Sequence, residues 1–193
     1  MRSAQNQKRR VIVGISGASG VIYGIELLKA LGERGVETHL VVTDAARKTI
    51  SIETDYSLQQ VEALSTVVHD LRDHGAPIAS GSFLSDGMAV VPCSVKSLSA
   101  IVHSYNDNLL VRAADVCLKE KRKLVLAVRE TPLHLGHLRL MCQAAELGAV
   151  ILPPIPGFYH RPSSLQELVS HVVGKILDQL GVPNQMFRRW SGA

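Results

Sequence analysis

The feature that most constrains this chain is a regular alternation. Short runs of buried-type aliphatic residues take turns with segments whose apolar residues recur every three or four positions. The runs are Arg10–Ser16, Val36–Thr43, Met88–Pro92, Lys123–Val128 and Ala149–Leu152. Each is four to eight residues long and rich in Val, Ile and Leu, as expected of strands covered on both faces. Between them, Val21–Arg34, Asp44–Thr54, Ser57–Leu64, Val95–Tyr105, Asn108–Lys121 and Leu135–Leu147 read as helices. The last segment is the clearest. Ser164-Leu165-Gln166-Glu167 forms a capping box, Leu165, Leu168, Val169, Val172, Ile176 and Leu180 keep helical spacing, and Gly181 and Pro183 end it. Strands alternating with helices predict an α/β fold, a single-domain, doubly wound and mainly parallel sheet of Rossmann-like type. Residues 1–9 are expected to be a disordered polar tail and residues 10–193 the folded domain. The stretch from His69 to Asp86 is rich in Gly, Ser, Asp and Pro and is expected to be a long loop.

Composition excludes several function classes. A 193-residue chain that is 46% apolar and 20% charged is neither disordered nor fibrous. A net charge of +4 is too mild, and too free of basic runs, to predict nucleic-acid binding. It does suit small anionic ligands. Lys8-Arg9-Arg10 ahead of an apolar stretch imitates a secretory signal, but Gly14, Gly17, Gly20, Gly24 and Glu26 within that stretch read better as strand, turn and helix. Neither a secretory signal nor a membrane span is expected. Cys93, Cys117 and Cys142 form no CxxC pair and no disulfide framework, so a reducing, cytoplasmic location is expected. The eight histidines complete no metal-ligand pattern, and no metal is expected.

In open parallel sheets ligands bind beyond the carboxyl ends of the strands, so function is sought in the loops that follow them. After the first strand comes Ser16-Gly17-Ala18-Ser19-Gly20, a small-residue turn opening a helix. It suits a phosphate or a cofactor at the helix N-terminus, although it is neither GxGxxG nor a Walker A loop. That reading is preferred to the alternative, a tight turn that simply requires small residues. Thr43-Asp44 follows the second strand and leaves NAD weakly supported. Pro92-Cys93-Ser94-Val95-Lys96-Ser97 opens another helix, where Ser94 and Ser97 either cap it or meet a phosphate. Arg129-Glu130 follows the fourth strand. There an Arg can fork onto a phosphate and a semi-buried Glu can shuttle a proton, and a surface ion pair is equally plausible. After the fifth strand, Pro156–Pro162 places Phe158, Tyr159 and His160 among prolines.

Taken in order, these pieces resemble one family from about Arg10 to Trp190, the UbiX-type flavin prenyltransferases, also described as small subunits of flavin-dependent aromatic-acid decarboxylases. The matching residues are Ser16–Gly20 with Tyr23-Gly24, Glu53-Thr54, Ala79–Ser82, Pro92-Cys93-Ser94, Asn108-Leu109, Arg112–Val116, Leu118-Lys119-Glu120, Arg129-Glu130 with Pro132, His137-Leu138 and Met141, Gly157-Phe158-Tyr159, and Arg189-Trp190. The resemblance implies transfer of a dimethylallyl group from dimethylallyl phosphate to N5 and C6 of reduced FMN, without a metal. The prenylated FMN passes to a UbiD-type decarboxylase. It further implies FMN held by Gly17, Ala18, Ser19, Thr43, Ser94, Val95, Lys96, Ser97 and Arg129. The donor phosphate is held by Tyr159 and Lys175, with Arg112 and Lys119 nearby and Lys119 coming from a neighbouring subunit of a homo-oligomer, typically a dodecamer. Proton handling falls to Ser19, Glu53 and Glu130. The chain departs from the family pattern at Lys175, where some members carry Arg, at Thr43, where Ser is frequent, at Val95-Lys96, and at Arg139-Leu140 before Met141. Two alternatives share the fold: an FMN-dependent cysteine decarboxylase, whose PASANT-like loop is absent here, and a non-catalytic FMN-carrying subunit.

Overall fold

A computed structural model describes residues 8–192. The expected tail at residues 1–9 therefore lies mostly outside the described residues. Arg9 itself is tied down, its carbonyl accepting from Glu37 N–H and its guanidinium reaching Gly181 O.

Six strands form one sheet in the order β3-β2-β1-β4-β5-β6, every neighbouring pair parallel. They are β1 (Arg10–Ile15), β2 (Glu37–Val42), β3 (Val67–His69), β4 (Gly87–Cys93), β5 (Lys123–Val128) and β6 (Val150–Ile151). The helices are α1 (Val21–Glu33), α2 (Asp44–Glu53), α3 (Leu58–Glu62), α4 (Val95–Val102), α5 (Leu109–Lys119), α6 (Leu135–Glu146) and α7 (Leu165–Leu180).

Two expectations need correction. The sheet has a sixth strand, β3, at its edge, and the long loop from His69 contains a 3₁₀ turn at Pro77–Ala79. Three residues are too few to show an apolar period. β3 is instead seated by reciprocal bonds in which Thr38 N–H donates to Thr66 Oγ1 at 3.1 Å and Thr66 N–H to Thr38 Oγ1 at 3.0 Å.

Alternation along each strand separates two cores. Val11, Val13 and Ile15 of β1 face α1, α2 and α7, whereas Ile12 faces the side covered by α4, α5 and α6. All seven residues of β4 are buried, as befits a central strand covered on both faces. Pro92 interrupts the β4–β5 ladder, and the register shifts between Val90 and Cys93, since proline brings no N–H to the pairing. Gly24 lets α1 lie directly on β4, because a side chain there would collide with Val91 O. Gly181, at φ +71°, closes α7 in the left-handed conformation that glycine adopts without penalty.

Candidate functional site

The carboxyl ends of β1, β2, β4 and β5 converge, and the loops leaving them enclose a cleft of about 280 Å³. Gly17, Thr43, Ser94–Ser97 and Glu130 line it, all singled out in the sequence. Ala45, Ala100, Asp107, Asn108 and Val111 complete the walls. Asp107 and Ala45 carry no local signal of their own. The fold brings them in through the starts of α5 and α2.

Local bonding fixes these loops. Ser94 is the N-cap of α4: its Oγ accepts from Ser97 N–H at 3.2 Å and donates to Ser97 Oγ at 3.1 Å. The first amides of such a helix have no intrahelical acceptor and face the cleft as a positive pole. Thr43 caps α2 in the same way, its Oγ1 accepting from Ala46 N–H at 3.2 Å. Gly17 sits where any Cβ would overlap Ala45, so the small residue is a packing requirement of the turn.

The turn before α1 ends at Gly20, at φ +95°, with no side-chain cap of its own. Glu53, from the far end of α2, takes that place. Its Oε2 accepts from Gly20 N–H at 2.8 Å and from Val21 N–H at 3.4 Å. A carboxylate thus occupies the positive end of α1, directly after the exposed Ser19. Glu53 borders a separate apolar cavity of about 510 Å³ with Tyr23, Tyr56, Leu165 and Val169. Burial pushes the Tyr23 phenol up from its ordinary value.

Arg129 and Glu130 stand at the mouth of β5, both exposed, with Arg129 N–H bonded to Cys93 O. Glu130 belongs to two cavities at once. One is the cleft just described, and the other, of about 450 Å³, is bounded by Arg129, Met141 and Pro153–Ile155. Cys93 lies beneath them, fully buried, its thiol pushed up to about 12 by burial. It stays protonated and is no nucleophile at ordinary pH.

The four expected phosphate-binding residues fall into two pairs on different elements. Tyr159 borders a cavity of about 250 Å³ with Arg188, Arg189 and Trp190, and its hydroxyl donates to Arg188 O at 3.2 Å. Lys175 is exposed on α7, on the same side of the sheet. Arg112 and Lys119 ride on α5, on the opposite side. Arg112 is held by Ala79 O at 3.0 Å and Asp115 at 3.1 Å, and Lys119 pairs with Glu120. Sequence reading also passed over His171. This buried histidine of α7 stacks 5.5 Å from His160 and stands edge-on to Tyr159 and Phe187. The sequence offered only its place on a helix.

Among the described residues no cluster of three or more His, Cys, Asp or Glu side chains is arranged to hold a metal ion. No helix of the described residues is long and apolar enough to cross a membrane.

Comparison with known proteins fits this geometry. Residues 1–176 match the Flavoprotein family. The chain is 61% identical over 188 residues to the flavin prenyltransferase UbiX of Escherichia coli strain K12, covering 96% of this chain and 100% of that protein. It superposes on the crystal structure of AnUbiX (PadA1) in complex with FMN and dimethylallyl pyrophosphate with a TM-score of 0.96 and 48% identity, over 97% of this chain and 100% of that one. A dodecameric FMN-dependent UbiX-like decarboxylase from Escherichia coli O157:H7 gives a TM-score of 0.93 at 48% identity, over 95% and 100% of the two chains. Strand-end loops, capped helices and sequence agree, and the chain belongs to the flavoprotein family and, within it, to the UbiX-type flavin prenyltransferases.

Proposed function

We propose that the cleft at the ends of β1, β2, β4 and β5 holds FMN and that the chain joins a dimethylallyl group to it. The observation that carries the reading is the convergence of four strand-end loops on one cleft lined by both the N-terminus of α4 and Glu130. The cleft suits FMN: the open amides of α4 and the hydroxyls of Thr43 and Ser94 meet polar groups, and Val95, Ala100 and Val111 meet the ring. Gly17, Ala18 and Ser19 give it close backbone approach, and Lys96, Ser97 and Arg129 complete the set. In its reduced form the bound flavin supplies the nucleophilic ring atoms.

The chain's own groups handle the leaving anion and the protons. Breaking the allylic C–O bond of dimethylallyl phosphate leaves an allyl cation and a phosphate. The Tyr159 hydroxyl and Lys175 hold that phosphate, and Arg112 and Lys119 from a neighbouring chain add to the clamp. Fixed donors of this kind stabilise charge as it develops. Glu130 reaches the cleft and takes up a ring proton. Glu53 holds Gly20 and Val21 through one oxygen, keeps Ser19 in place and leaves the other oxygen for proton exchange. The split of cations between the two faces of the sheet favours a homo-oligomer, with a dodecamer as the expected form. The product goes to a UbiD-type decarboxylase. The three free cysteines suit a reducing compartment, the cytoplasm.

The test is anaerobic incubation with reduced FMN and dimethylallyl phosphate, followed by mass spectrometry of the extracted flavin. A gain of one prenyl group, lost in Tyr159→Phe/Lys175→Ala, is expected. Bound but unaltered FMN, with mono- and diphosphate donors alike, would point to the cysteine-decarboxylase or passive-carrier alternatives.

A further inference from the structure

His171 joins the two segments that wall the Tyr159 cavity. One is the loop from Pro153 to Pro162, the other the C-terminal stretch that carries Phe187 and Trp190. On the loop side, Gly157 N–H donates to His171 Nδ1 at 3.3 Å. That bond requires Nδ1 to be unprotonated. Gly157 fits because a Cβ there would stand 3.2 Å from His171 Nε2 and 2.9 Å from Tyr159 Cε1. On the C-terminal side, Phe187 packs edge-on to the imidazole with centroids 4.8 Å apart. Tyr159 stands 5.9 Å from the same ring and 5.8 Å from Trp190. His171 is only 7% exposed.

We infer that His171 is a positioning residue for the donor-phosphate site, a latch that holds the Gly157–Tyr159 loop while neutral and releases it when protonated. The inference rests on the reading that Tyr159 receives the donor phosphate. A proton on Nδ1 turns the acceptor into a donor facing the Gly157 N–H. The two hydrogens then oppose each other, and the loop that carries Tyr159 loses its anchor. The groups around the ring work in the same direction. His160 stacks on it from the loop, Lys175 lies one helical turn further along α7, and both oppose a positive charge there. Burial and these two neighbours hold His171 below the ordinary histidine value. Glu167 is engaged by Ser163, through its N–H and hydroxyl, and Asp178 by Arg189, so neither carboxylate is free to pair with His171. Arg188 and Arg189, on the C-terminal stretch, add only positive charge.

The test compares KM for dimethylallyl phosphate and kcat in the wild type and His171→Asn between pH 5 and 8. Asparagine keeps an acceptor oxygen near the Nδ1 position and has no proton to gain. Taking the ratio of the two proteins cancels the ionisation of the substrate itself. Wild-type KM is expected to rise by up to about tenfold per pH unit relative to His171→Asn once the imidazole protonates. The KM for FMN, bound in the other cleft, should show no such divergence. Parallel profiles in two folded proteins would overturn the latch. Should His171→Asn fail to fold, nitrogen NMR of the wild-type imidazole decides: protonated Nδ1 at pH 7.5, or a Gly157 amide indifferent to its titration, is incompatible with the inference. Tyr159→Phe separates the two layers of argument. An unchanged donor KM in that variant rejects the phosphate site, whereas a raised KM with parallel His171 profiles rejects only the latch.

Discussion

The Ser94 amide donates to the buried hydroxyl of Ser16 at 2.7 Å, and that hydroxyl donates in turn to Pro92 O at 3.0 Å. Ser16 N–H reaches the same carbonyl at 3.1 Å, and Ser16 O accepts from Ala18 N–H at 2.8 Å. One fully buried serine therefore sets the spacing between the glycine turn after β1 and the capped start of α4. Ser16→Ala is expected to cost about 1–3 kcal/mol, because it leaves the Ser94 amide unpaired. Chemical denaturation measures that loss. Fluorescence titration should show weaker FMN binding, partly restored in Ser16→Thr.

Gly17→Ala drives a methyl into Ala45 and so moves the start of α2 away from the cleft. A drop in FMN affinity is expected, with a stability cost of about 1–3 kcal/mol from overpacking. Ala45→Gly in the same chain removes the obstructing atom. A double-mutant cycle should then show strong coupling, and additive effects would place the collision elsewhere.

Glu130→Gln keeps the shape and hydrogen bonding of the side chain while removing its capacity to take a proton. FMN binding should persist, and single-turnover prenylation should slow by about 10²–10⁴-fold. Unchanged turnover would remove Glu130 from the proton path.

Stability should depend on pH through buried His69, whose Nε2 lies 2.9 Å from His39 Nδ1. Burial, reinforced by His39, holds His69 below its ordinary value of 6.5. The unfolded chain thus binds the proton more readily, so stability is full above about pH 6.5 and declines as pH falls through the lower folded value. His171 is displaced the same way and adds to the same window. Urea denaturation between pH 8 and 5 should show the decline, with a shallower slope in His69→Gln.

Much of this architecture is legible in the sequence, for identifiable reasons. The strands β1, β4 and β5 announce themselves because burial on both faces demands aliphatic runs, and β2 does so through Leu40-Val41-Val42. The α7 helix does so because Ser164 caps it and Gly181 stops it. The strand β3 is hidden because its three residues are specified by Thr38 and Thr66, not by a pattern of their own. The resemblance to a family supplies a roster of expected site residues. It cannot supply the bond from Glu53 to Gly20, which joins positions 33 residues apart through a turn and a helix. Nor does it foretell His171 Nδ1, since a helical period marks a position as inward-facing without telling which atom meets which.

The placement of α5 and α7 on opposite faces of the sheet has a practical corollary. On the proposed reading, a solitary chain would offer the departing phosphate Tyr159 and Lys175 from one side only, while Arg112 and Lys119, carried on the other face, would serve another copy's substrate. Catalytic competence then becomes a shared property, and specific activity ought to sink on dilution once copies part. Substitutions far from any flavin, at the seams between copies, would register as slow enzymes with well-filled cofactor sites.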